Sequence, residues 1–132
     1  MRLTRAVDYA VHAVVAMASN PKEGNGPVAS HLTAQAQGIP ERFLLKVLKP
    51  LVSAGILRSI KGPNGGYHLA KPTKTITLLD VVEAVEGPLH GRTPFASGKL
   101  DHRLATVFEE ATETVRRHLG KVSLADLAAR RK

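Results

Sequence analysis

The chain contains no cysteine and no tryptophan. Without a thiol, the polypeptide can form no disulfide, no thiolate metal site and no thiol redox switch. Aromatic residues make up only 4% of its 132 residues, so base stacking on single-stranded nucleic acid is a poor fit. No uninterrupted apolar run approaches the roughly 20 residues that a membrane helix needs. The opening MRLTRAVDYAV also carries Arg2, Arg5 and Asp8, unlike a signal peptide, and a cytoplasmic protein is expected. There is no phosphate-cradling glycine loop of the nucleotide-binding kind and no carboxylate pair around an evident pocket, so an enzyme is not expected. The length suits one domain plus an appendage rather than two independent cores.

Acidic residues are also scarce, and unevenly so. Residues 1–75 hold ten Lys and Arg against three Asp and Glu, whereas residues 76–132 hold nine against eight. The net charge of +8 therefore belongs almost wholly to the N-terminal part. Charge that served only solubility would spread evenly, whereas a polyanion-binding surface concentrates it.

Within this basic part, Thr4 to Ala18 reads as a helix with Thr4 as N-cap and an apolar stripe of Val7, Val11, Val14, Val15 and Ala18. A polar loop, Pro21 to Pro27, precedes a short helix over roughly Val28 to Gln37. Its weak periodicity leaves two rotations open: Val28, Ala29, Leu32 and Ala36 inward, or Val28, Thr33, Ala34 and Gln37 inward. Gly38 stops this helix as its C′ residue, Ile39 turns inward, and Pro40 stands at N1 of the next helix, which runs to about Ala54. On that helix Phe43, Leu44, Val47, Leu48, Leu51 and Val52 form one apolar face. Arg42, Lys46, Lys49 and Ser53 gather near the opposite pole.

A one-sided basic stripe is, in an arbitrary protein, simply a solvated face. Here it lies on the second helix of a tight pair and leads through Gly55 into LRSIKGPNGGYHLA, residues 57–70. That segment reads as two short strands around a Gly62-Pro63-Asn64-Gly65-Gly66 turn, with Arg58 and Lys61 before the turn and Tyr67 and Leu69 on the side that packs. Together these features predict a winged helix-turn-helix, its second helix in the major groove of double-stranded DNA and its hairpin wing along the backbone or minor groove. A protein-interaction module with an idle DNA surface is the alternative; steep salt dependence with retained sequence preference separates the two.

Farther on, Thr77-Leu-Leu-Asp80 forms a capping-box variant that opens a helix through Val81, Val82 and Val85 to Gly87-Pro88. An irregular segment runs from Leu89 to about Lys99, after which Leu104, Val107, Phe108, Ala111, Val115 and Leu119 recur at helical spacing on a long helix ending at Gly120. A small winged helix has little left to cover that stripe, and a two-fold partner helix is the economical cover. A homodimer with those six residues in its interface is expected. Ser123-Leu-Ala-Asp126 then caps a last short helix before the basic tail Arg130-Arg131-Lys132. The expected fold is mainly α with a small β-hairpin. Residues 1–86 form a winged helix-turn-helix DNA-binding domain, and residues 87–132 supply a loop, a dimerisation helix and a short C-terminal helix.

These motifs resemble the Rrf2 family of bacterial transcriptional regulators over almost the whole chain. The carriers are Met1-Arg-Leu-Thr4 with Tyr9-Ala-Val11, the Gly38-Ile39 turn, the Gly62 to Tyr67 wing, Asp80-Val-Val-Glu-Ala-Val85 and Ser123-Leu-Ala-Asp-Leu127. The resemblance implies a homodimeric winged-helix protein that binds a palindromic operator and usually represses. At matching positions it implies DNA contacts from Arg42, Phe43, Leu45 and Lys46 on the groove-entering helix, from Lys61 near the minor groove and from Arg2 near the backbone. Lys49 from the stripe and Gly62, Asn64 and Gly65 from the turn complete the candidate DNA surface. Leu45 departs from the acidic, base-selecting residue that the family's iron–sulfur regulator looks to carry. Leucine offers only apolar contact, for example with thymine methyls, so a different operator is implied. Thr33 replaces an apolar residue common in the family's second helix.

Many members of the family hold an iron–sulfur cluster on three cysteines in the loop before the long helix. The segment Leu89 to Asp101 has none, so no cluster and no resident cofactor is expected. Asp8, His90 and His102 are the residues that a metal-responsive variant would use; solvated histidines are the plainer reading. The expected signal is a small molecule, a protein effector or none.

Overall fold

The computed structural model describes residues 3–19, 27–90 and 98–129. Its helices are α1 (Arg5–Ser19), α2 (Ser30–Gln37), α3 (Glu41–Ser53), α4 (Leu78–Glu86), α5 (Gly98–Gly120) and α6 (Leu124–Ala128). Strands β1 (Leu57–Ile60) and β2 (Gly66–Leu69) follow α3, and a 3-10 turn spans Thr73–Thr75. The expected mainly helical fold with one hairpin is what forms.

Local chemistry sets most of the boundaries. Thr4 Oγ1 accepts the Val7 N–H at 3.2 Å and caps α1 as its sequence suggests. The buried side of α1 differs from the expected stripe: Val7, Ala10, Ala13, Val14 and Met17 are buried, while Val11, Val15 and Ala18 are only half-buried. α1 packs against α2, α3, α4 and α6. Alanines at the centre of that packing let neighbouring backbones approach closely, which outweighs the greater hydrophobicity of valine.

α2 takes the second of its two rotations, with Thr33 and Ala34 buried and Leu32 52% exposed. Gly38 ends it at φ 65°, a left-handed conformation that glycine adopts without strain, and the Ile39 N–H reaches the Ala34 carbonyl at 2.9 Å. Pro40 is the N-cap of α3 rather than its N1 residue. The shift of one place is harmless, because the N-cap N–H also has no partner within the helix. Leu44, Val47, Leu48 and Leu51 of α3 are buried, but Phe43 and Val52, expected on the same face, are not.

The hairpin register pairs Leu57 with Leu69, Arg58 with His68, Ser59 with Tyr67 and Ile60 with Gly66. Leu57, Tyr67 and Leu69 share the face that packs on the core, which leaves Arg58 and His68 on the other. Val28 adds a strand-like residue that the sequence did not announce: it exchanges two backbone hydrogen bonds with Tyr67, both at 2.9 Å. The wing is thereby joined to the segment leading into α2.

The capping box at α4 forms in both directions, with Thr77 N–H to Asp80 Oδ2 at 2.9 Å and Asp80 N–H to Thr77 Oγ1 at 3.1 Å. Ser123 and Asp126 form the same box on α6, at 2.9 and 3.0 Å. The two caps lie side by side, because Thr77 and Ser123 form an antiparallel bridge, flanked by Leu78 N–H to Val122 O and Leu124 N–H to Ile76 O, each at 2.8 Å. Ile76 and Leu124 are fully buried, so α6 packs back onto the core built around α1. Thr77→Ala should cost about 1 kcal/mol in urea unfolding; an unchanged midpoint would mean that the bridge alone holds this corner.

α5 starts at Gly98, so Lys99, expected at the end of a loop, lies in its first turn. It has 23 residues and none is buried. It meets the rest of the chain mainly at α4, where the Arg116 guanidinium pairs with the Glu83 carboxylate, which also accepts the Leu89 N–H at 2.9 Å. Among the described residues, no helix is long and apolar enough to cross a membrane.

Candidate nucleic-acid interface

Because its inner face is filled by four buried aliphatic residues, α3 presents Arg42, Lys46, Lys49 and Ser53 outward, all exposed. Lys49 and Ser53 line an open cleft with Ala84 of α4, whereas Arg42 and Lys46 occupy the N-terminal half of the helix. The single acidic residue of α3, Glu41, is turned toward α2 and accepts the Ser30 hydroxyl at 3.0 Å. Two apolar side chains flank the stripe: Phe43 is 46% exposed and Leu45 41% exposed. The Lys46 ammonium lies 5.6 Å from the Phe43 ring centroid, a cation–π distance that ties the ring to the stripe.

The wing presents Arg58, Lys61, Gly62, Pro63 and Asn64 as exposed residues. Gly65 N–H bonds to Gly62 O at 3.0 Å and closes the turn. A Cβ on Gly65 would sit 2.1 Å from the Ile60 carbonyl oxygen, so that close approach of backbone to backbone requires glycine. Arg58, which the sequence places before the turn with Lys61, also belongs to this surface: it pairs across the hairpin with His68, away from the core face. Arg2 lies outside the described residues.

The proposed dimer stripe is largely uncovered. Leu104, Val107, Phe108 and Ala111 are exposed, Val107 by 56% and Phe108 by 45%. Val115 and Leu119 are half-buried, and Leu119 borders a groove with Val7 and Val11 of α1 and Leu78 and Val82 of α4.

The metal candidates are scattered by comparison. Asp8 is exposed on α1, its Oδ1 3.4 Å from His12 Nδ1. His90 follows α4, and His102 is exposed in α5. Among the described residues, no three His, Asp or Glu side chains are gathered as metal ligands.

The profile of the Rrf2 family, described as "Iron-dependent Transcriptional regulator", matches residues 3–130. The chain belongs to the Rrf2 family. It is a winged-helix, DNA-binding transcriptional regulator. It is 38% identical over 103 residues to protein aau3 of Rhizobium meliloti strain 1021, a match covering 76% of this chain and 64% of that protein, just under two thirds. It is 33% identical over 133 residues to Rv1287 of Mycobacterium tuberculosis H37Rv, named as an HTH-type transcriptional regulator, covering 97% of this chain and 81% of the relative. In structure it is similar to CymR (YrzC), the global cysteine regulator of B. subtilis, with a TM-score of 0.81, 26% identity, and coverage of 97% and 96% of the two chains.

The family description invokes iron, and the donor set of this Rrf2 chain does not fit a cluster held on its own thiolates. There is no cysteine anywhere in the sequence, and the stretch 91–97 before α5, GRTPFAS, carries no cysteine, histidine or carboxylate.

Proposed function

We propose that the protein is a homodimeric, sequence-specific repressor of a palindromic operator. Residues 1–86 read the duplex, residues 87–132 supply the dimer contact, and the protein catalyses no reaction. Two copies of α3 would enter successive major grooves, with half-sites about one helical turn apart. The observation that carries this reading is the exposed Arg42 and Lys46 pair on the second helix of a tight helical pair whose first helix is joined, through Val28, to a basic wing. Supporting it further is the concentration of positive charge in residues 1–75. Its regulation rests on a small molecule, a protein effector or no signal, since the chain offers no thiolate for a cluster.

Fluorescence anisotropy on duplexes from the protein's own promoter, across a salt series, tests the reading. Affinity should fall steeply with salt while a preference over random DNA persists. Lys49→Ala and Lys61→Ala, both at exposed positions, should weaken binding to all duplexes alike and reduce the salt slope by about two each, one contact being lost from each protomer. A chain that prefers no duplex over random DNA at physiological salt is not a repressor of this kind.

A further inference from the structure

We propose that α3 reads thymine C5-methyl groups on both walls of the major groove, through Leu45 on one flank of the basic stripe and Phe43 on the other. The inference rests on the DNA-binding reading above and names the base chemistry that this surface recognises.

α3 reads ERFLLKVLKPLVS and contains no Asn, Gln or Asp. Adenine is read in the major groove chiefly by a bidentate Asn or Gln, and the cytosine amino group by a carboxylate. The first kind of reader is missing from the helix, and its one carboxylate, Glu41, is turned to Ser30. What remains is a pair of cations, Arg42 and Lys46, suited to the guanine O6 and N7 acceptors, and two exposed apolar side chains. At about 100° per residue, Phe43 and Leu45 stand on opposite sides of the stripe, roughly 90° and 70° from its centre. A helix lying in the groove turns its centre to the floor and its flanks to the two walls. The thymine methyl projects from C5 at the wall side of its own base, so flanking apolar groups meet methyls where central cations meet guanine.

Exposure at these two positions also needs a reason. Four aliphatic residues of α3 are buried, yet Phe43 and Leu45 stay 46% and 41% exposed, bordering the exposed cations. The Lys46 contact at 5.6 Å holds the Phe43 ring beside the stripe, so the ring is already placed for contact before DNA arrives.

The experiment uses the full chain. Half-sites are first selected from a random duplex library, and each thymine of the recovered half-site is then replaced by deoxyuridine, which deletes the C5-methyl and leaves the hydrogen-bonding edge intact. For the wild type, replacement at one thymine on each side of the guanine contact should weaken binding about three- to fivefold. Leu45→Ala should abolish the sensitivity at one of these thymines and Phe43→Ala at the other. Both positions are exposed, so the variants should melt with the wild type and any loss reports on contact. Wild-type binding that ignores deoxyuridine at every position, or variants that retain the full methyl sensitivity, would overturn the methyl reading while leaving DNA binding in place. A selection that enriches no sequence would remove the repressor reading and this one together.

Discussion

Val107→Asp with Phe108→Asp should leave the protein monomeric in sedimentation equilibrium and weaken binding to a full palindrome by roughly 10²- to 10⁴-fold, the loss expected when two linked binding events become independent. Both side chains are exposed and α5 buries none of its residues within its own chain, so the substitutions remove no contact from the core. In an apolar helix-to-helix contact, by contrast, each aspartate would be desolvated without a partner. Binding to a single half-site should stay within about twofold of the wild type, because α3 and the wing are untouched. The melting temperature of the wild type should rise with protein concentration, as mass action requires of a dimer, whereas that of the variant should not. A wild-type chain that sediments as a monomer, or a double variant that remains dimeric, rules out α5 as the interface.

Gly66→Ala is the second large effect. Gly66 adopts φ 153°, and a Cβ there would lie 2.3 Å from the Val28 carbonyl oxygen and 2.8 Å from the Ala29 nitrogen. These are backbone atoms that cannot turn aside as a flexible side chain could. Relief requires breaking the two hydrogen bonds between Val28 and Tyr67 that tie the wing to the entry of α2. A loss of about 3 kcal/mol is expected, equivalent to roughly 10 °C in melting temperature for a domain of this size. DNA affinity should fall as well, because the wing would no longer hold its place beside the helical pair. Gly62→Ala makes a useful contrast: it also has positive φ, but a Cβ would meet nothing within 4 Å, so its cost should be limited to about 1 kcal/mol of backbone strain. Equal melting of the two variants would show that the Val28 contact is not what holds the wing.

The same contrast marks how far the sequence could be read. The Thr4 cap, the Gly38 turn, the two capping boxes and the hairpin rest on partners a few residues apart, and each stands where the sequence places it, Pro40 being one position out. Contacts between distant segments left no such signal. Val28 gives no hint that it pairs with Tyr67, nor Thr77 that it pairs with Ser123, because a single backbone bridge imposes no hydrophobic period. On α1, Val7 and Val14 are buried as their spacing predicts, but the deepest positions also include Ala10, Ala13 and Met17 for a related reason: periodicity weights valine above alanine, whereas a helix with four helical neighbours favours alanine where their backbones converge. For α2, the composition admitted two rotations, and only packing against α1 and α3 selected the one that buries Thr33 and Ala34.

The sequence by itself determined the charge asymmetry, the one-sided cations of α3, the turn chemistry of the wing and the want of any thiolate for a cluster. All four depend on which residues are present and on their local spacing. The uncovered stripe of α5 was already implied by its spacing, but the tertiary structure alone decided that Phe43 and Leu45 remain uncovered beside the cations of α3 once the core is full. Burial is a property of what a residue meets, and those neighbours come from elsewhere in the chain. Hydrophobic spacing could therefore mark these residues as apolar, but only the folded chain could show them free to meet something else.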